Sequence, residues 1–163
     1  MASRAWYSLC MYRKGVSALI ANKKNEFLLV NLSSFEEKYF AIPGGGVDGE
    51  ETLEDAVYRE VNEELNISKT SLRLVGASAS TVKIKFKVIK LSRDGKEYTG
   101  SERHFFGFRF VGNDREIKPK DGEVRTYRWV SFPELKKYLL FDNQLEETKE
   151  KIMELFPVFK EIG

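Results

Sequence analysis

Cysteine is almost absent from this sequence: Cys10 stands alone among 163 residues. A single thiol excludes an intramolecular disulfide and fits a reducing compartment. No histidine or second cysteine pairs with it in a nucleophilic arrangement, so it reads as incidental. Histidine is equally scarce, and the lone His104 reads as a strand-surface residue. No apolar run reaches the roughly 18–20 residues that cross a bilayer, so no membrane partner is expected. The opening MASRAWYSLCMYRKG has an arginine but no long apolar centre, so a secretory leader is not expected either. Neither sign of charge dominates. Lysine and arginine total 27 against 25 acidic residues, a net +2, which makes no general case for a nucleic-acid or membrane surface. Repeats of fixed period and low-complexity linkers are missing too. These absences point to a cytoplasmic protein.

What is present is ordinary globular material. Hydrophobic residues make up 42% and charged residues 32%, enough to exclude disorder. The length suits a single domain over 1–163. GVSALIA (15–21) and EFLLVNL (26–32) are β-leaning runs joined by an NKKN turn, a hairpin pattern. KYFAIPGGG reads as a short strand ending in a glycine loop, and Thr52 to Leu65 as a helix with a Thr52/Asp55 capping-box start. SLRLVGASASTVKIKFKVIKLS and KEYTGSERHFFGFRFVG are strands around an RDG turn at 93–95. In the first, Val82, Ile84, Phe86 and Val88 alternate with Lys83, Lys85 and Lys87. The simplest reading of that lysine row is a solvated strand face, with a basic binding patch as the alternative. VRTYRWVSF (124–132) is a late strand with Trp129 in the core. FPELKKYLL follows as a short helix with Pro133 in its first turn, and Asn143–Phe156 is an amphipathic helix. Mixed strands with helices in the middle and at the end predict an α/β fold, a sheet packed between helices.

The dense acidic cluster REVNEEL is the feature that asks for chemistry. At about 100° per residue, Leu53, Val57, Val61 and Leu65 form an apolar arc. Glu60 and Glu64 lie on its edge, with Glu63 beside them and Ala56 in the same sector. Three carboxylates at i, i+3 and i+4 repel one another, oppose the helix dipole and border the buried side. Arg59 offsets part of this through Glu63. A solvated acidic face is the plain alternative. A divalent cation would offset far more, because clustered hard oxygens are what magnesium or manganese requires. Just before the helix, Gly44, Gly45 and Gly46 permit close approach to a ligand and positive φ. No Gly-Lys-Ser/Thr follows, so this is not a P-loop, and a plain strand-to-helix turn is the other reading.

Loop and helix together resemble the Nudix hydrolase signature, Gly, five residues, Glu, seven residues, Arg-Glu-aliphatic-any-Glu-Glu-any-Gly-aliphatic. It reads here as Gly45, Glu51, then Arg59-Glu60-Val61-Asn62-Glu63-Glu64-Leu65-Asn66-Ile67. Only Asn66 departs, standing where the family has glycine. Asparagine tolerates the left-handed region, so Asn66 is expected to close the helix with positive φ.

The resemblance implies a Nudix-type α/β/α sandwich with a mixed β-sheet. It also implies hydrolysis of a nucleoside diphosphate linked to a further group, with Mg2+ (or Mn2+) as cofactor. It makes Glu60, Glu63 and Glu64 the metal ligands, with Glu63 also a candidate base. Glu51 supports the site and substrate, and Arg59 orients the carboxylates. Gly44, Gly45 and Gly46 shape the substrate loop, and Gly45 can offer the metal a backbone carbonyl. DGEVRTYRWV brings Glu123 as a base or further ligand. That segment, the YRKGV opening and ERHFFGFRF are similar to the branch of RNA pyrophosphohydrolases and dinucleoside polyphosphate hydrolases. The likeness makes a nucleotide the substrate and an RNA 5′ end one candidate. Gly44 stands where that branch usually has glutamine and Phe40 where it has tryptophan, and FDNQLEETK lacks its usual basic residues. Phe40 and Tyr39 are candidates for stacking a nucleobase, and Glu102 and Arg103 open a strand near the expected cleft. Free triphosphates, ADP-ribose or nucleotide sugars as substrates remain alternatives, as does a module that senses a nucleotide without turnover.

Overall fold

The computed structural model describes residues 11–91 and 95–160. Cys10, with the rest of the opening segment, and Arg93 and Asp94 of the RDG turn lie outside those residues.

β1 (Tyr12–Ala21) and β2 (Glu26–Leu32) form the expected hairpin, with Ala21 opposite Phe27. Its turn is built by asparagines. The Asn22 carboxamide accepts from the Lys24 and Glu26 amides at 3.0 and 2.9 Å, and Asn25 takes the left-handed region at φ 58°. β3 is only Gly44–Gly46, antiparallel to β1. β4 (Leu72–Ala77) and β5 (Val82–Leu91) both run antiparallel to the 14-residue β6 (Glu97–Phe110), which lies parallel to β1 from Tyr12/Gly100 to Ala21/Arg109. β7 (Val124–Ser131) pairs antiparallel with β2. The described strands make one seven-stranded mixed sheet whose main path is β4-β6-β1-β2-β7.

Helices cover both faces. α1 (Leu53–Leu65) sets Ala56, Val57, Val61 and Leu65 against Val16, Ala18, Ile20, Leu28, Val30 and Phe108. α2 (Gln144–Leu155) sets Ile152 and Leu155 against Leu19, Ala21, Phe27 and Leu29. Successive β1 residues therefore feed opposite cores, which is why GVSALIA is a continuous apolar run and not an alternating one. The α/β fold with a mixed sheet between helices is the one the sequence predicts.

Three local expectations change. The stretch before the glycines is not a strand: it makes one bridge, Val30 to Ala41, and the strand falls on the glycines themselves. Phe132–Lys137 is a tight 3-10 turn, not an α-helix. β5 does not bury its apolar alternation. Ile84, Val88, Ile89 and Leu91 are exposed: among the described residues β5 pairs only with β6, and neither helix core includes these side chains.

Candidate active site

α1 is held at both ends by short-range chemistry. The Thr52 hydroxyl accepts from the Asp55 amide at 3.0 Å, capping the start, and Glu54 and Asp55 lie in the first turn where the dipole favours them. At the far end Asn66 adopts φ 60°, ψ 21°, the left-handed closure that its sequence position predicts. Its side chain also donates to the Glu116 carbonyl at 3.1 Å. With the helix seated on Val57, Val61 and Leu65, Glu64 is drawn into the protein at 6% exposure, and Glu60 is mostly covered.

β3 meets these two carboxylates backbone-first. The Gly44 amide donates to Glu64 Oε1 at 3.0 Å. A Cβ on Gly44 would run into the Val16 carbonyl, and a Cβ on Gly45 would run into the Glu60 carboxylate. The glycines are thus required for close approach. Positive φ, which the sequence also allowed, is confined to Gly49, Gly95 and Gly122 among the described glycines.

Arg59 ties the arrangement together. It reaches Glu51 at 2.7 and 3.1 Å, Glu60 at 3.0 Å, Glu63 at 3.2 Å, Asp48 at 3.5 Å and the Gly46 carbonyl at 2.9 Å. Glu51 in turn accepts from the Asp48 amide at 2.7 Å. The expected i, i+4 pair with Glu63 is present, but Glu51 is the closest partner. The compact three-glutamate cluster is not assembled as expected. Glu63 is half exposed and turned to Arg59, and no three acidic, histidine or cysteine side chains converge on one point among the described residues. Glu60 and Glu64 form the inward pair. Glu123 shares one recess with them and a second with Glu60, Glu63, Arg13 and Arg59, and it pairs with Lys120 at 3.1 Å.

Burial sets the electrostatics. It pushes the Glu64 carboxyl up to about 8, only partly countered by the Gly44 amide, and it also raises Glu60. The Arg59 hydrogen bond holds Glu51 below the usual carboxylate range. Two covered carboxylates whose charge is disfavoured, with two more at the rim of the same recesses, are an all-oxygen donor set that fits a hard divalent cation.

On the far side of Gly44 lies a cavity of about 330 Å³. Phe35, Phe141, Phe105, Ile42 and Val82 wall it, and Gln144, Asp142, Glu64 and Arg103 supply polar groups. Arg103 is one of the two residues that the sequence places at the opening of a strand near the expected cleft. Its guanidinium donates to Ser17 Oγ at 3.0 and 2.9 Å and to the Val16 carbonyl at 2.8 Å. Burial lowers its pKa, opposed by Glu64 and then Glu60. The signal in the sequence was a cation sharing strand parity with Phe105, on the face that packs inward.

Phe40 is not at the carboxylates. It is a core residue, 4% exposed, edge-on to Tyr138 at 5.2 Å, and its carbonyl accepts from Gln144. Tyr39 stacks on Phe141 at 4.6 Å and so reaches the cavity wall at second hand. Glu102 holds Thr81 at 3.0 Å. His104 is half-buried with Nε2 shielded from solvent, not on the strand surface. Trp129 packs at the edge of the first core against Phe110.

A NUDIX domain model matches residues 11–156. The RNA pyrophosphohydrolase of Pelagibacter ubique is 29% identical over 148 residues, covering 88% of this chain and 92% of that protein. The Haemophilus influenzae protein of the same name is 30% identical over 125 residues. That match covers 74% of this chain and 63% of the relative, so this chain spans about three-fifths of that relative's length. Among solved structures, an Ap4A hydrolase of C. elegans in a binary complex superposes with a TM-score of 0.66 at 21% identity, over 90% of this chain and 96% of its own. The dihydroneopterin triphosphate pyrophosphohydrolase of E. coli does so at 0.67 and 18% identity, over 88% and 99%. These two likenesses speak for the fold. Among the described residues no helix is long and apolar enough to cross a membrane.

Proposed function

Since the chain belongs to the Nudix family of pyrophosphohydrolases, we propose that it cleaves a pyrophosphate bond in a nucleotide polyphosphate, namely an RNA 5′-triphosphate end or a dinucleoside polyphosphate. One observation carries this reading. A cavity with aromatic walls, of a size that takes a small ligand, opens directly beside Glu64, and Arg103 stands at the junction. A nucleoside in the cavity would put its phosphates over the carboxylates. The names of the curated relatives, RNA pyrophosphohydrolase, agree with an RNA 5′ end.

Glu60 and Glu64 would hold the divalent cation, magnesium or manganese, with Glu63 and Glu123 completing its surroundings. When bound, that cation neutralises the diphosphate and makes water more acidic. The protein's own part is positional. The Gly44 amide fixes Glu64, Arg59 fixes Glu60 and Glu51, and Arg103, itself held by Ser17 and the Val16 carbonyl, would set its positive charge beside a phosphate bound next to Glu64. Glu63 and Glu123 are the least buried of these carboxylates, at 48% and 56% exposure, and are the two suited to accept the proton of the attacking water.

The test is a substrate panel of triphosphorylated RNA, diadenosine polyphosphates, free triphosphates, ADP-ribose and nucleotide sugars, with products mapped. RNA ends or dinucleoside polyphosphates should be turned over fastest, and Glu63→Gln should lower the rate by at least about 100-fold. A Glu63→Gln protein as fast as the wild type with magnesium present overturns the assignment. Tight nucleotide binding without turnover under any divalent metal would instead mark a sensing module.

A further inference from the structure

The row of lysines along β5 is used by nothing in the site described above. From Val82 to Tyr98 the sequence carries six cations (Lys83, Lys85, Lys87, Lys90, Arg93, Lys96) and two anions (Asp94, Glu97), a net +4. The whole chain is only +2, so the other 146 residues sum to −2. The net positive charge of this protein therefore comes from this one stretch, and Lys83, Lys85, Lys87 and Lys90 of β5 carry most of it.

The hairpin is also placed and dressed for a ligand. β5 is an edge strand of ten residues, about 30 Å long at ~3.3 Å per residue. Its register with β6 shifts between Lys85 and Lys90, where the ladder is irregular. A broken register and a lysine row are what keep such an edge from pairing with another strand. Lys83, Lys85 and Lys90 are exposed, as are the apolar Ile84, Val88 and Ile89 between them and Leu91 just after them. Rings stand among the charges: Lys83 lies over Tyr12 and Lys90 over Phe86. The strand also connects to the site at two points. Val82 and Ile84 line the aromatic cavity, and Leu91 lines the recess of Glu60, Glu63 and Glu123.

We propose that the β5–β6 hairpin is a docking surface for a single-stranded polynucleotide, which it holds next to the recess where the chain's phosphorylated 5′ end is hydrolysed. The inference rests on the substrate reading above and extends it from the end of the RNA to the body of the chain. Charge complementarity selects the partner: a flexible polyanion with apolar faces meets spaced lysines interleaved with apolar and aromatic side chains. The lysines set affinity and not sequence, because they meet phosphates.

The experiment uses the full chain, with a fluorescent single-stranded RNA of about 12 nucleotides bearing a 5′-hydroxyl. That probe cannot be hydrolysed, so binding is read apart from turnover. Wild-type affinity should fall steeply with salt. Lys83→Ala/Lys85→Ala/Lys90→Ala should flatten the log–log slope by about 2 and weaken binding about 100-fold at roughly 0.1 M salt, three lost contacts at ~0.7 each. With triphosphorylated RNAs the same variant should raise KM for the long chain to the value for a triphosphorylated dinucleotide, with kcat unchanged. Equal salt slopes for variant and wild type, or a wild-type KM independent of chain length, overturn the surface. So does tighter binding to vesicles of anionic lipid than to RNA, or a concentration-dependent dimer that the lysine variant dissolves. Loss of RNA turnover with the hydroxyl-RNA binding intact would instead overturn the substrate reading and leave the surface standing. The salt slope of the unmodified protein tests it even if the variant folds poorly.

Discussion

Glu64→Gln should make the metal-free protein more stable at high pH. Glu64 is 6% exposed and its carboxyl titrates near 8, against an ordinary 4.5, chiefly because burial penalises the charge. Below pH ~4.5 the group is protonated in both the native and unfolded states and contributes nothing. Between ~4.5 and ~8 the unfolded chain has released this proton and the native one has not, so native stability falls as pH rises; above ~8 the loss is constant. At about 1.4 kcal/mol per tenfold in proton affinity, the full loss is roughly 3–5 kcal/mol. Glutamine removes the charge and keeps the oxygen that accepts from the Gly44 amide. Urea denaturation of both proteins in chelator from about pH 5 to about pH 9 reads the difference directly. The stability of the variant relative to wild type should climb by about 1.4 kcal/mol per pH unit and level off above ~8. A difference that stays flat across the range refutes burial as the dominant force on this carboxylate. Added magnesium should narrow the gap, since a cation bound only by the native wild type stabilises it.

Gly45→Ala should separate the site from the fold. Its Cβ would displace the Glu60 carboxylate, a movable side-chain end, so turnover should drop about 100-fold while the urea midpoint moves little; a large midpoint shift with normal turnover would contradict this. Asn66→Ala should destabilise by about 1–2 kcal/mol, because alanine is strained in the left-handed region and loses the bond to Glu116, while Asn66→Gly should fall within about 1 kcal/mol of wild type. Equal denaturation midpoints for the alanine and glycine variants would sink that account.

Features legible in the sequence were those fixed by neighbours a few residues away. The asparagine turn at 22–25, the Thr52 cap and the Asn66 closure all depend on short-range bonding, and each appears at its expected place. The Glu60/Glu64 pair follows from helical spacing, but the partner of Arg59 did not. Glu51 sits eight residues earlier and reaches Arg59 only because the loop folds back through Asp48. Neither the place of Phe40 nor that of Arg103 could be read from its neighbours in the chain. A long-range backbone bond to the Tyr138 carbonyl seats Phe40 in the second core, whereas sheet pairing with Gly15 and Val82 brings Arg103 to the cavity wall. Val82 to Leu91 alternates like a half-buried strand, yet among the described residues Val88, Ile89 and Leu91 in its outer half are exposed. Alternation states that two faces differ and not that one of them is covered.

β6 serves three strands along its 14 residues: β5 beside Glu97–Arg103, β4 beside Phe106–Phe110, and β1 along the opposite edge. The edge shared by β4 and β5 is thus divided between a part anchored to the core and a part that extends beyond it. Among the described residues, none of β5 pairs with β1 or β3 or belongs to α1, the three elements that hold the carboxylates. The fold in this way uncouples the evolution of what the enzyme grips from the evolution of what it cuts, and lineages with the same catalytic helix are free to differ in reach.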